Sequence, residues 1–220
     1  MPAFNESEVV GDVVRAIRSE LDIPIWVIND YSSDGTADAA ASAGARVISL
    51  PEQLGAWGAV QTGLREALRL GITCAVTMDS DGQHDPSYLP ELVKPVLDNK
   101  ADVVIGACPA RGSRLRKLAW SLMRLTSGLK TEDLTSGYRA LNSRAIELLS
   151  EPGASQLEFQ DIGVLLMLEK AGLRVMEHSV VMPRRANGKS RIFRSWGAVA
   201  SYMLQTLFLG AVKRRLRRSP

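Results

Sequence analysis

The stretch ITCAVTMDSDGQHDP (72–86) runs from seven apolar or β-favouring residues straight into an acidic knot. A short run of this kind, bounded by a polar turn, reads as a strand. Similar runs recur at IPIWVIN (23–29), ARVISL (45–50) and ADVVIGA (101–107), with helix-like segments between them. SEVVGDVVRAIRSEL (7–21) has apolar residues at helical spacing, with Ser7 as its N-cap. DGTADAAASAGA (34–45) reads as a short Ala-rich helix, AWGAVQTGLREALRLG (56–71) as an amphipathic helix closed by Gly71, and PSYLPELVKPVLDN (86–99) as a fourth. Strands alternating with helices predict an α/β fold, a mostly parallel sheet flanked by helices. Such sheets take ligands at the carboxyl ends of their strands. The polar motifs fall there: NDYSSDGT follows the strand at 23–29, and DSDGQ follows the strand at 72–78.

Beyond residue 108 the pattern changes. CPARGSRLRKLAWSLMRLTSGLK (108–130) is basic and then amphipathic, and DLTSGYRALNSRAIELL (133–149) reads as a polar turn followed by a helix. LEFQDIGVLLMLEKAGL (157–173) reads as a helix with acidic residues in its first turn, and RVMEHSVVM (174–182) as a strand. The loop PRRANGKSR (183–191) precedes a long apolar helix at 195–212.

The 220 residues suffice for one large domain with an appendage, divided here into 1–192 and 193–220. A composition of 45% hydrophobic and 23% charged residues is that of a globular protein. Cys74 and Cys108 lie in apolar runs without metal-ligand spacing and read as buried free thiols. The polar, acidic start MPAFNESE is not a signal peptide. The net charge of +3 comes from the tail: KRRLRR (213–218) holds five basic residues, and without them 22 basic face 24 acidic residues. The body is therefore not a basic nucleic-acid binder.

The acidic knot has three candidate uses: a catalytic metal, a structural calcium or a plain polar turn. An EF-hand loop needs oxygen ligands at positions 1, 3 and 5, Gly at 6 and Glu at 12. Counted from Asp79, position 12 is Pro90; counted from Asp30, Ser32, Asp34 and Gly35 fit, but position 12 is Ala41. The calcium reading fails. A dinucleotide site fails as well, because the first strand–turn–helix carries NDYSSDGT rather than GxGxxG, and GAWGAV (55–60) holds only two glycines.

PAFNE (2–6), VINDYSSDGT (27–36), LGAWGAVQTGL (54–64), MDSDGQHDP (78–86) and DLTSGYRA (133–140) follow one another in order. This series resembles the family-two glycosyltransferases, most closely the dolichyl-phosphate mannose synthase branch. The resemblance implies a GT-A fold, a nucleotide-diphosphate sugar donor and a divalent metal. It places Ala3, Phe4, Asn5 and Glu6 along the nucleoside and Asp30 on the base or ribose. Asp34 is open between a turn residue and a site residue. Asp79 and Asp81 lie two apart, so at a strand end both can point into one cleft. Hard oxygen ligands beside a diphosphate suit Mg²⁺ or Mn²⁺. The resemblance makes Asp81 and Gln83 metal ligands and puts Asp79 near the donor ribose or the metal; His84 is a further ligand by type.

The resemblance to this branch also implies a polyprenyl-phosphate acceptor, held by cations rather than activated by a base. The chain offers Arg111, Arg114, Arg116 and Lys117, then Arg139, then Arg184, Arg185, Lys189 and Arg191. The last group resembles the family's R-x-x-G-x-S-K segment, which lies over the donor diphosphate and acceptor phosphate, with its cation displaced by a residue or two. Asp161 stands where a base would sit if the acceptor were a hydroxyl; it and Glu158 also suit a helix N-terminus. Three departures from the family pattern stand out. Relatives carry an apolar strand before PAFNE, so the usual first strand is expected to be lacking, either because the start is assigned late or because the copy is degenerate. Gly106, Ala107 and Cys108 replace Gly-Ser-Arg. Tyr31 replaces a glycine and Asn29 an aspartate, while Asp30 keeps the carboxylate.

WGAVASYMLQTLFLGAV (196–212) has 17 residues and a thin polar stripe of Gly197, Ser201 and Gln205. Followed by the basic tail, it reads as a helix lying in the surface of an anionic membrane. Packing on the catalytic domain, a true span and pairing with a small membrane subunit are the alternatives. The expected location is the cytoplasmic face of a membrane.

Overall fold

The computed structural model describes residues 1–109, 120, 121, 124, 128, 129, 131–156 and 162–182. Asp161, Glu158, the cations at 111–117 and 184–191, and the apolar and basic segment 193–220 lie outside the described residues.

Two sheets form the centre. The first, in the order β1 (Pro2–Ala3), β2 (Trp26–Asn29), β3 (Arg46–Ser49), is parallel throughout. The second runs β4 (Cys74–Thr77), β6 (Arg139–Asn142), β5 (Val103–Ala107), β7 (Val175–Ser179). Here β6 is antiparallel to both neighbours, while β5 and β7 are parallel. The α/β expectation holds, and each of the five strand runs read from sequence forms a strand.

Helices cover both faces. Helix α1 (Val10–Glu20) buries Val10, Val13, Val14 and Ile17, the i, i+3, i+4, i+7 stripe of an amphipathic helix. With α2 (Thr36–Ser42) and α4 (Leu89–Leu97) it packs over Val27 and Val104. Helix α3 (Gly55–Arg69) turns Trp57, Val60 and Leu64 towards the opposite layer. There it meets α5 (Ser143–Ser150) and α6 (Ile162–Lys170) over Val103, Ile105 and Leu141. Residues of β5 alternate between the two clusters and all five are buried. A strand covered on both faces has no polar side, which explains why VVIGA reads as a continuous apolar run.

Pro2 and Ala3, inside PAFNE, form a two-residue strand beside Ile28 and Asn29. Three readings are corrected. Ser7 does not cap α1, because Val9 holds that position without a side-chain bond, and the Ser7 N–H donates to Asp34 at 3.2 Å. The segment read as turn and helix contains β6, whose four residues are too few to show a period and are fixed by pairing between β4 and β5. Cys74 is only half-buried, while Cys108 is buried; both are free thiols. Among the described residues, no helix is long and apolar enough to cross a membrane.

Candidate active site

Loops from the carboxyl ends of β1, β2 and β4 meet at one edge of the fold. The β1 loop is stitched to the β2 loop by bonds from four backbone N–H groups. Asn5 N–H donates to Ser32 Oγ at 3.0 Å, Glu6 N–H to Thr36 Oγ1 at 2.9 Å and Ser7 N–H to Asp34 Oδ2 at 3.2 Å. In return, Ser33 N–H donates to Asn5 Oδ1 at 2.9 Å. The Asp34 carboxylate also accepts from Thr36 N–H and from the Thr36 hydroxyl. Partial desolvation opposes its ionisation, but the bonds from Thr36 and Ser7 outweigh it and hold the carboxyl below its ordinary value. Asp34 is thereby committed to the turn.

Asp30 is 2% exposed. Its two oxygens accept Leu54 N–H at 2.7 Å and Gly55 N–H at 2.9 Å, at the start of α3. The first N–H groups of a helix lack intrahelical partners, and a carboxylate there satisfies them and suits the dipole. Tyr31, the next residue, is 61% exposed and has φ of 62°. The left-handed backbone explains why a glycine suits this position.

The β4 loop carries the acidic residues. Gly82, at φ 77°, reverses the chain so that Gln83 N–H donates to Asp81 Oδ1 at 3.0 Å. Asp79, Asp81 and Gln83 are half-buried, with a carboxylate or amide oxygen each. Ser80 is buried and donates to Pro2 O at 2.8 Å, tying the β4 loop to β1. His84 is buried too, and its Nδ1 accepts the Asp79 N–H at 3.0 Å. Its Nε2 stands 3.7 Å from Asp79 Oδ2, within electrostatic reach but too long for a hydrogen bond. The ring stacks on Tyr138 at 4.9 Å with an 11° tilt, and the Tyr138 hydroxyl donates to Asp85 O at 3.0 Å. Burial, with Asp85 nearby, pushes the Tyr138 hydroxyl well above its ordinary value.

His84 therefore serves the loop as a brace: the peptide N–H of Asp79 occupies the lone pair that a metal would use. Sequence reasoning missed this pairing of His84 with Tyr138, since 54 positions separate them and only the fold brings them together. Ala3 is buried and accepts Asp30 N–H through its carbonyl at 2.8 Å; Phe4, Asn5 and Glu6 are half-buried beside it. Arg139 is buried on β6, paired in register with Thr77 at the end of β4. The structure thus joins the loop of Ala3, Phe4, Asn5 and Glu6 to that of Asp30, and through Ser80 and Pro2 ties β1 to the loop of Asp79, Asp81 and Gln83. Asp161, Arg185 and Lys189 lie outside the described residues.

A sequence model described as Glycosyl transferase family 2 matches residues 1–154. The chain belongs to glycosyl transferase family 2. It is 29% identical over 213 residues to an undecaprenyl-phosphate mannosyltransferase of Micrococcus luteus, covering 87% of this chain and 85% of that one. It is 30% identical over 214 residues to a polyprenol monophosphomannose synthase of Mycolicibacterium smegmatis, covering 87% of this chain and 79% of that one. A crystal structure of glucosyl-3-phosphoglycerate synthase from Mycobacterium tuberculosis, in complex with Mn²⁺, UDP-glucose and phosphoglyceric acid, superposes with a TM-score of 0.73 at 26% identity. That match spans 96% of this chain and 77% of the other.

For a family-two glycosyltransferase the acidic loop has a fitting donor set. Among the described residues, no cluster of three His, Cys, Asp or Glu forms a ready metal cage. Two carboxylates and an amide suit a hard divalent ion.

Proposed function

We propose that this enzyme transfers a sugar from a nucleotide-diphosphate sugar to a polyprenyl phosphate at a membrane surface, with inversion and with Mg²⁺ or Mn²⁺. The observation that carries this reading is the acidic loop braced against the β1 and β2 loops, in a chain whose relatives are named for polyprenyl-phosphate acceptors. Ala3, Phe4, Asn5 and Glu6 border the nucleoside, close to Asp30. Asp79, Asp81 and Gln83 would hold the metal. Bound there, the divalent ion would offset the negative charge that builds on the departing nucleotide.

A phosphate monoester has a second pKa of about 6, so it is largely dianionic near neutral pH and needs no base. It needs cations that hold it in line behind the anomeric carbon, a role assigned to Arg139, Arg185 and Lys189. The Mn²⁺ and phosphoglyceric acid in the matched crystal structure favour one alternative, transfer to a hydroxyl, in which Asp161 would act as the base.

A panel of nucleotide sugars with Mg²⁺ or Mn²⁺, offered undecaprenyl phosphate, dolichyl phosphate or phosphoglyceric acid and read by mass spectrometry, tests both. A metal-dependent, lipid-extractable glycosyl phosphate is expected. A water-soluble glycoside as the only product would replace the reading with hydroxyl transfer.

A further inference from the structure

Among the described residues, Asn5, Tyr31 and Asn99 have a left-handed backbone without being glycine. Two of them, Asn5 at φ 52° and Tyr31 at φ 62°, lie in the neighbouring β1 and β2 loops of the candidate site. Asparagine tolerates this region, whereas a bulky aromatic residue there is an outlier. The bonds on either side hold Tyr31 in it. Before it, Asp30 N–H donates to Ala3 O at 2.8 Å, and the Asp30 carboxylate is fastened to Leu54 and Gly55. After it, Ser32 N–H donates to Asn29 Oδ1 at 3.2 Å, and Ser32 Oγ accepts Asn5 N–H at 3.0 Å. Asn29 is pinned in turn, its Nδ2 donating to Ser49 Oγ at 3.1 Å. A return of Tyr31 to negative φ would break bonds on one flank or the other.

Packing does not compensate for this strain. Tyr31 is largely exposed, and among the described residues no ring stacks on its own. Leu54 is exposed as well. Both are joined directly to the buried Asp30, Tyr31 by a peptide bond and Leu54 by a hydrogen bond. Strain imposed by surrounding bonds, with no gain in burial, gathers at ligand sites. We propose that the Tyr31 ring is a stacking platform for the nucleobase of the donor. The inference rests on the proposed reading, in which a nucleotide-diphosphate sugar lies along the β1 and β2 loops. A nucleobase is flat and aromatic, and an offset stack on a phenol ring removes apolar surface of both from water. Every base has a π-face, so the platform strengthens nucleoside binding without choosing the base.

The test uses the full chain as wild type, Tyr31→Gly, Tyr31→Asn and Tyr31→Phe. Thermal unfolding without ligand reads the strain. Calorimetric titration with UDP, GDP and pyrophosphate, each with Mn²⁺, reads the platform. Tyr31→Gly should raise Tm by about 2–4 °C and yet weaken the tighter of UDP and GDP at least about fivefold. Tyr31→Asn, which tolerates the same backbone, should lose nucleotide affinity to a similar extent. Tyr31→Phe should bind as wild type does, because stacking needs the ring and not the hydroxyl. Pyrophosphate has no base and should bind equally to all four chains. Nucleotide binding by Tyr31→Gly as tight as wild type would overturn the stacking platform alone. A matching loss of pyrophosphate affinity would also overturn it, by tracing the defect to the loops as a whole, and an unchanged or lower Tm would remove the strain. A wild-type chain that binds neither nucleotide would overturn the donor reading together with the platform.

Discussion

Asp81 sits just before the positive-φ Gly82, with one carboxylate oxygen taken by Gln83 N–H and its chain half-buried. That bond orients the carboxylate within the turn. Asp81→Ala should lower metal-dependent turnover by at least about a hundredfold, and Gln83→Ala by about tenfold, since a neutral amide contributes less than a charge. Initial rates across a Mn²⁺ titration check this; a turnover within a few-fold of wild type for Asp81→Ala would remove it from the site. The turn was legible in sequence, because Asp, Gly and Gln straight after an apolar run mark the end of a strand; its metal role came from the ordered series of motifs. His84 was not. Its residue type suggests a ligand, and only the folded chain shows its Nδ1 facing the Asp79 N–H and its ring on Tyr138. For Asp30 the family resemblance implies a nucleoside contact, and the structure anchors its carboxylate to the first turn of α3.

Strand β5 shows how a distant element sets that brace. A Cβ added at Gly106 would lie 3.0 Å from Tyr138 Cδ1 and 3.3 Å from Val180 Cγ1. Both neighbours are buried, so the ring must shift. Gly106→Ala should therefore cost about 1–3 kcal/mol of stability and, by moving Tyr138 off His84, reduce kcat by roughly tenfold with little change in donor KM. Chemical denaturation and steady-state kinetics measure the two effects; unchanged kcat in the folded variant would break the link. At the other end of β5, Asp102 is buried and accepts Arg174 N–H at 2.7 Å, Arg174 Nε at 3.1 Å and Asn142 Nδ2 at 2.8 Å. These bonds, the Arg174 side chain first, hold its carboxyl below the ordinary 3.8, at about 2. A carboxyl depressed in the folded state stabilises above its unfolded pKa, and that contribution is lost as pH falls from about 4 through 2. Asp102→Asn should be less stable by about 1–2 kcal/mol at pH 7, with solvent around the half-exposed Arg174 limiting the effect. The gap should close towards pH 2; a constant gap in denaturation from pH 7 to pH 2 would refute this origin. None of it was visible beforehand, because Asp102, Asn142 and Arg174 are brought together by strand pairing alone.

Across the molecule, alternating apolar runs and amphipathic helices suffice to read the α/β architecture, while the antiparallel place of β6 between β4 and β5 is set by pairing and shows only in the fold. Charge is the other long-range property. The chain carries +3, but 22 basic and 24 acidic residues remain once the tail's five cations are set aside. Residues 193–220, outside the described part, therefore concentrate the attraction to an anionic surface at one end, next to the apolar run 196–212. Each cation near such a surface contributes about 1 kcal/mol, and salt screens it within roughly 10 Å. The lipid acceptor proposed above would require the catalytic loops to work beside a bilayer, and this segment, read from sequence as an in-plane helix, is the one we propose keeps them there. Removing 195–220 should move the protein from vesicles containing anionic lipid to the soluble fraction. Neutralising only the five tail cations should weaken binding by tens-fold or more and leave the remainder insensitive to salt. Turnover of a water-soluble acceptor analogue should survive both changes. Cosedimentation at low and high salt measures the distribution, and a truncated chain that pellets with vesicles as fully as the intact one would place the membrane contact elsewhere.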